Sequence, residues 1–153
     1  MNYIEAPHST YDIPQPSVFL AGGITGCPDW QANMVALLSH TDLTVFNPRR
    51  ANFPMDDPKA ALNQTRWEHQ QLRKATAVMF WFPMEALCPI VLYELGAWSM
   101  TDKRLFVGMH VEYQRKQDVE IQTALVRRDV TIVRSLSELA NQVLDWWRAY
   151  EAE

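Results

Sequence analysis

Long apolar runs are missing from this chain. No stretch of about 18 apolar residues occurs, so nothing in it is expected to span a membrane. The opening MNYIEAPHSTYDIPQPS has no apolar core behind a basic start, which excludes the secretory signal pattern. Cysteine is scarce: Cys27 and Cys88 stand alone, neither in a CxxC pair, and His8, His40, His69 and His110 are scattered. No metal site is expected from such spacing. Both thiols read as reduced, in the cytoplasm. Positive charge is also short, with 14 Lys and Arg against 18 Asp and Glu and a net charge of −4. A free-standing nucleic-acid binder is usually basic, so that class is set aside. Glycine is rare as well, but three of the five glycines sit together at Gly22, Gly23 and Gly26.

What remains is an ordinary globular composition, 48% hydrophobic and 21% charged over 153 residues. Residues 1–16 hold three of the nine prolines and no periodicity, and read as an irregular lead-in. Residues 17–153 read as a single domain. Short apolar runs at 17–22, 43–46, 76–82, 104–108 and 130–133 predict five strands. Helices are predicted between and after them, over about 30–39, 59–74, 89–100, 118–126 and 136–150. Asp29, Asp118 and Ser135 are candidate N-caps, and Pro89 a first helical residue. In the first helix Met34, Val35, Leu37 and Leu38 are expected to face inward. Strict alternation with apolar strands predicts an α/β fold. The expected form is a doubly wound five-stranded parallel sheet of order 2-1-3-4-5, with helices on both faces. Ligands of such sheets bind at the carboxyl ends of the strands, near the switch point.

That rule selects the residues to weigh. The loop Ala21-Gly22-Gly23-Ile24-Thr25-Gly26 reads as a cradle for a sugar or phosphate, or simply as a tight strand-to-helix turn. Asn47-Pro48-Arg49-Arg50 offers adjacent guanidinium groups for an anion, or a solvated pair, or one arginine paired to a core carboxylate. An NADP site would need a glycine fingerprint that is absent, and no cofactor is expected. Glu94 lies on an otherwise apolar helix, where a carboxylate is costly unless paired or functional. Gly96, just beyond, suggests something packing closely. Glu68, beside Trp67, is placed to converge with Glu94, since two carboxylates in different environments divide into acid and nucleophile. Tyr113, Arg115, Asp118 and Gln122 form a further polar cluster, for a ligand or a partner subunit. Cys88 has no evident basic partner that would make it a nucleophile. Trp30, Trp67 or Trp81 are candidate aromatic walls that would stack a base and exclude water.

FLAGGITG at 19–26, Asp29-Trp30-Gln31, FNPRR at 46–50, Trp67-Glu68 and Tyr93-Glu94-Leu95-Gly96 together resemble the nucleoside 2-deoxyribosyltransferase-like proteins, over about residues 17–133. The resemblance implies a flavodoxin-like fold and homo-oligomers with shared active sites. It implies cleavage of the N-glycosidic bond of a 2′-deoxynucleoside and transfer of the sugar to another nucleobase; related members hydrolyse nucleotides. Glu94, in an E-x-G pattern, falls at the family's nucleophile. Glu68 falls where many members have an aspartate that contacts the base. Phe19 replaces a tyrosine that orients the nucleophile, and Cys88 replaces an aspartate that helps bind the sugar. Gln122 and Thr123 lie near the segment lent to a neighbouring subunit. The resemblance and the site position implicate Phe19, Gly22, Gly23, Asp29, Trp30, Asn47, Arg49, Arg50, Trp67, Cys88 and Gln122 in substrate binding. A glycoside hydrolase acting on the 5′-monophosphate and a catalytically silent nucleotide sensor stay open beside the transferase.

Overall fold

Strands without a polar face need cover on both sides, and the computed structural model, which describes residues 1–152, supplies it. In chain order the elements are β1 (Asn2–Glu5), β2 (Ser17–Gly22), α1 (Trp30–Leu38), β3 (Thr44–Asn47), α2 (Ala60–Lys74) and β4 (Ala77–Phe82). They continue with α3 (Pro89–Ser99), β5 (Arg104–Met109), α4 (Lys116–Val126), β6 (Ile132–Val133) and α5 (Leu136–Glu151). The six strands form one sheet in the order β1-β3-β2-β4-β5-β6. Every pairing is parallel.

Side chains alternate across this sheet as strand geometry requires. Val18 and Leu20 of β2, with Ala77 and Met79 of β4, pack against Met34 and Leu38 of α1 and Leu139 and Val143 of α5. Phe19 and Ala21, with Val78 and Phe80, pack on the other face against Trp67 of α2, Val91 and Leu95 of α3, and Val119 of α4. β2 and β4 are buried along their whole length, which is why both read as unbroken apolar runs. No helix is long and apolar enough to cross a membrane.

The sheet has six strands rather than five because the lead-in is not wholly irregular. Asn2–Glu5 pairs in register with Thr44–Asn47 and forms the edge. Only Ile4 of these four residues is buried, so there was no period to read. Beyond it the chain lies along α2, where Trp67 Nε1 donates to the His8 carbonyl at 2.6 Å and Gln71 Nε2 to Ser9 Oγ at 3.4 Å. Smaller differences have local causes. Helix α4 starts at Lys116, which puts Asp118 in its first turn, paired with Arg115 at 2.9 Å, rather than at the cap. β6 is shortened because Val130 N–H turns back onto the Arg127 carbonyl. In α1 the buried residues are Trp30, Gln31, Met34 and Leu38, while Leu37 is exposed.

Asp29 does cap α1, accepting from Ala32 N–H at 3.0 Å. Ser135 and Glu138 exchange the bonds of a capping box at the start of α5. Lys103 joins the two helices that carry the candidate carboxylates. Its Nζ donates to the carbonyls of Leu72, Arg73 and Ala75 at the end of α2, and lies 4.8 Å from the ring centre of Trp98 on α3. A cation there offsets the negative end of α2 while stacking on an aromatic face.

Candidate active site

A cleft of about 350 Å3 opens at the carboxyl ends of β2 and β4. Of the residues singled out above, Phe19, Gly22, Gly23, Glu68, Cys88 and Glu94 line it. Phe19 forms its floor from β2, the glycine loop one wall, and the first turns of α3 the opposite wall. Ile24, Leu87, Ile90 and Val91 make the lining largely aliphatic. Of these four only Ile24, within the glycine loop, was marked by a sequence signal.

Glu68 and Glu94 reach the cleft from different helices, α2 and α3. Burial pushes Glu94 up to about 8, and the neighbouring Glu68 adds to the rise. Burial also raises Glu68, opposed by a hydrogen bond from Gln64 Nε2 at 2.8 Å. Both shifts follow first from charge taken from water into a confined site, and for Glu94 a like charge nearby adds to it. The pair therefore holds a proton near neutral pH. Gln64 also donates to the Pro48 carbonyl at 2.8 Å, fixing Glu68 against the rim of the cleft. Gln64 was missed in the sequence, although its i, i+4 spacing from Glu68 on a helix is a legible signal.

The glycine loop is held from behind by groups that the sequence suggested would touch ligand. Trp30 is buried beneath the loop, and its Nε1 donates to the Gly23 carbonyl at 3.0 Å. A Cβ at Gly22 would lie 2.4 Å from Trp30 Cζ2 and 2.6 Å from the Trp81 carbonyl oxygen, so glycine is demanded there by close approach. Gly26 has a φ of +72°, which demands it by conformation. Trp67 is buried against Phe19, with ring centres 6.1 Å apart, and Trp81 packs on the far face of the sheet. The expected aromatic walls are thus scaffold, because each indole N–H or ring is already engaged in the core.

Arg49 is likewise engaged within the protein. Its guanidinium donates to the carbonyls of Cys27 and Pro28 at 3.0 Å and to Gln31 Oε1 at 3.2 Å. Gln31 in turn reaches the Gly23 carbonyl. Arg49 therefore clamps the loop to the end of β3 instead of offering a fork to an anion. Asn47 supports it by accepting the Arg49 backbone N–H and donating to the Tyr3 hydroxyl. Arg50 lies over the Phe53 ring, 5.4 Å from its centre. Asp29, Asn47, Arg49 and Arg50 line a separate depression beside β1 and not the cleft.

The loop after β4 forms the remaining rim. Tyr113, buried against Phe82, donates its hydroxyl to the Leu87 carbonyl at 2.8 Å and fixes that rim. Cys88 caps α3 with a φ of 54°, the one positive φ outside glycine among the described residues. Strain of this kind, of order 1–3 kcal/mol, is typically kept at functional sites. Burial, with Cys27 and Glu85 nearby, pushes the Cys88 thiol up to about 11, so it rests as the protonated thiol at neutral pH. Gln122 is exposed on α4 and lines a groove between α3 and α4, away from the cleft. Gly96 has open space above it, with no atom within 4 Å of where a Cβ would stand.

A family model described as nucleoside 2-deoxyribosyltransferase like matches residues 15–113. That range begins just before β2 and ends at Tyr113, and so contains every residue named above as lining the cleft. No curated protein sequence matches the chain.

Proposed function

Because the chain belongs to the nucleoside 2-deoxyribosyltransferase-like family, we propose that its cleft cleaves the N-glycosidic bond of a 2′-deoxynucleoside and passes the sugar to another nucleobase. The observation that carries this reading is the carboxylate pair, Glu68 and Glu94, both with raised proton affinity in a confined aliphatic cleft. Bond cleavage passes through an oxocarbenium-like sugar. Once the proton that Glu94 holds at neutral pH has passed to Glu68, the ionised Glu94 stabilises that charge and then bonds to the anomeric carbon. Glu68 delivers that proton to the departing base. The leading N–H groups of α3 lack intrahelical acceptors and are available to sugar hydroxyls. We read the whole fold as the doubly wound, flavodoxin-like form, and place the protein in the cytoplasm, in keeping with its two free thiols.

The two carboxylates are the charged groups of the cleft lining, and no lysine or arginine stands among the described residues there. The uncharged nucleoside therefore suits it better than its 5′-monophosphate, for which an excess KM of about tenfold is expected. Incubating both with and without an acceptor base, and separating products by liquid chromatography, measures this preference and divides transfer from hydrolysis. Release of base from neither substrate would overturn the reading. The rate should follow a bell in pH with its alkaline limb near 8, where the pair loses its last proton. That limb should vanish in Glu68→Gln.

A second reading rests on one feature. Phe19 brings no hydroxyl to orient Glu94, and Glu94 is held mainly protonated at neutral pH. A silent nucleotide-binding module would have these properties. It would show thermal stabilisation by a nucleoside with no base release.

We also propose that the protein works as an oligomer of this chain. A helix apolar on all sides is normally covered, yet Ile90 and Tyr93 of α3 and Met100 at its end are mostly exposed, as is Leu125 of α4. Open Gly96 lies between them, and the cleft opens beside Ile90. A second copy seated on this face would close the cleft and bring Gln122 to an interface. Sedimentation velocity should give a dimer or larger, and Tyr93→Glu with Leu125→Glu should give monomers; a monomeric wild-type protein would refute the arrangement.

A further inference from the structure

Gly23 marks the place where two sulfurs meet. A Cβ at Gly23 would lie 2.7 Å from Cys27 Sγ and 3.0 Å from Cys88 Sγ. The sulfurs are therefore within about 6 Å of each other, on either side of the space over Gly23. Both thiols are free and buried. Cys27 belongs to the loop between β2 and α1, whereas Cys88 heads α3 and borders the cleft. Each donates a long, weak hydrogen bond, 3.5 Å, to a carbonyl two residues back, Thr25 for Cys27 and Ala86 for Cys88. Little therefore holds either sulfur in its present rotamer. The space left by the absent side chain of Gly23 is shared by the two.

We propose that Cys27 and Cys88 are an oxidisable pair, joined by a peroxide into a disulfide past Gly23 that ties the glycine loop to the head of α3 and shuts down the cleft. In the first step Cys88 gives up its proton and its sulfur attacks one oxygen of hydrogen peroxide. The O–O bond breaks, and the departing hydroxide takes up the proton as water, leaving a sulfenic acid. The Cys27 sulfur then attacks the Cys88 sulfur. The S–S bond forms, the S–O bond breaks, and the hydroxyl leaves as a second water with the Cys27 proton. Two thiols are oxidised by two electrons and the peroxide oxygens are reduced. The consequence for the cleft is direct. Gly22 and Gly23 form one wall, and Glu94 sits on the helix that Cys88 begins. A bond between the walls shifts both, and misplacement of reacting groups by about 1 Å costs on the order of a hundredfold in rate. Burial keeps the resting thiols protonated, so the first step runs through the small thiolate fraction of Cys88 and is slow.

The test treats the purified protein with hydrogen peroxide, blocks remaining thiols with an alkylating reagent, and analyses a non-reduced digest by mass spectrometry. The expected product is a linked pair of peptides containing Cys27 and Cys88, lighter by two hydrogens, within a single chain, and reversed by dithiothreitol. Binding or turnover of 2′-deoxyadenosine should fall on the order of a hundredfold on oxidation and return on reduction. Cys27→Ser and Cys27→Ala should both resist that loss. Independent alkylation of both cysteines after peroxide, sulfinic acid without a cross-link, or a link between chains would each overturn the proposal. The cross-link is read by mass, so it stands or fails separately from the reaction assigned to the cleft.

Discussion

Glu94→Gln is expected to abolish base release and, at the same time, to make the fold more stable above neutral pH. The first effect follows from losing the carboxylate that meets the oxocarbenium charge, and should be a fall in kcat on the order of a thousandfold or more. The second follows from linkage. Glu94 titrates near 8 in the folded chain against 4.5 as its ordinary value. Between those values the folded state binds more protons than the unfolded one, so wild-type stability falls as pH rises from about 4.5 to about 8. Each pK unit is worth about 1.4 kcal/mol. Glu94 is partly open to solvent, and screening reduces the net effect to about 2 kcal/mol. The glutamine variant lacks this loss and should melt roughly 6 °C higher at pH 9, with no difference at pH 4. Chromatography of the released base and thermal melts across pH measure the two effects separately. Base release at the wild-type rate would remove Glu94 from the mechanism. An unchanged melting curve at pH 9 would show that burial does not hold its proton.

Gly22→Ala should be the most damaging small substitution in the chain. The added Cβ meets the Trp30 ring at 2.4 Å and the Trp81 carbonyl oxygen at 2.6 Å. The ring is pinned by its bond to the Gly23 carbonyl, and the carbonyl belongs to the central strand β4, so neither yields cheaply. Overpacking of this kind typically costs about 3 kcal/mol, or roughly 10 °C in melting temperature for a domain of this size. The glycine loop moves with it, so nucleoside binding should weaken as well. Gly96→Ala is the natural control. It sits in the interior of α3 with open space around it, and alanine there should stabilise the isolated chain by about 0.5–1 kcal/mol. Equal losses at Gly22 and Gly96 in thermal melts would contradict this account of the loop.

The two glycines show how far the sequence could be read. Clustering of Gly22, Gly23 and Gly26 after an apolar strand located the cleft, because the strand period and the glycine run are local signals. Which glycine answers to which constraint was not legible. Gly22 is set by an indole from α1 and a carbonyl from β4, Gly23 by two sulfurs and Pro83, and Gly26 by its own backbone. Arg49 shows the same limit from the other side. An exposed-looking pair of arginines after a strand suggests an anion site, yet one guanidinium is filled by carbonyls of the loop that it faces across the switch point. The tryptophans were misplaced for the same reason. Their proximity to the cleft in sequence is real, but a ring beside a site in the chain is as readily behind it as in it.

By itself, the sequence determined the alternation of buried strands and helices, the capping of α1 and α5, the acidic pair on α2 and α3, and the likeness to a family that the match over residues 15–113 upholds. These depend on periodicity, on short-range hydrogen bonds and on residue type, all of which are written along the chain. The tertiary structure alone decided that Asn2–Glu5 adds an edge strand, that Glu68 raises the proton affinity of Glu94, that Arg49 and Trp30 brace the loop, and that Cys27 meets Cys88 over Gly23. Each of these joins residues far apart in sequence, and the partner in such a contact is chosen by packing across the sheet, which no local pattern records.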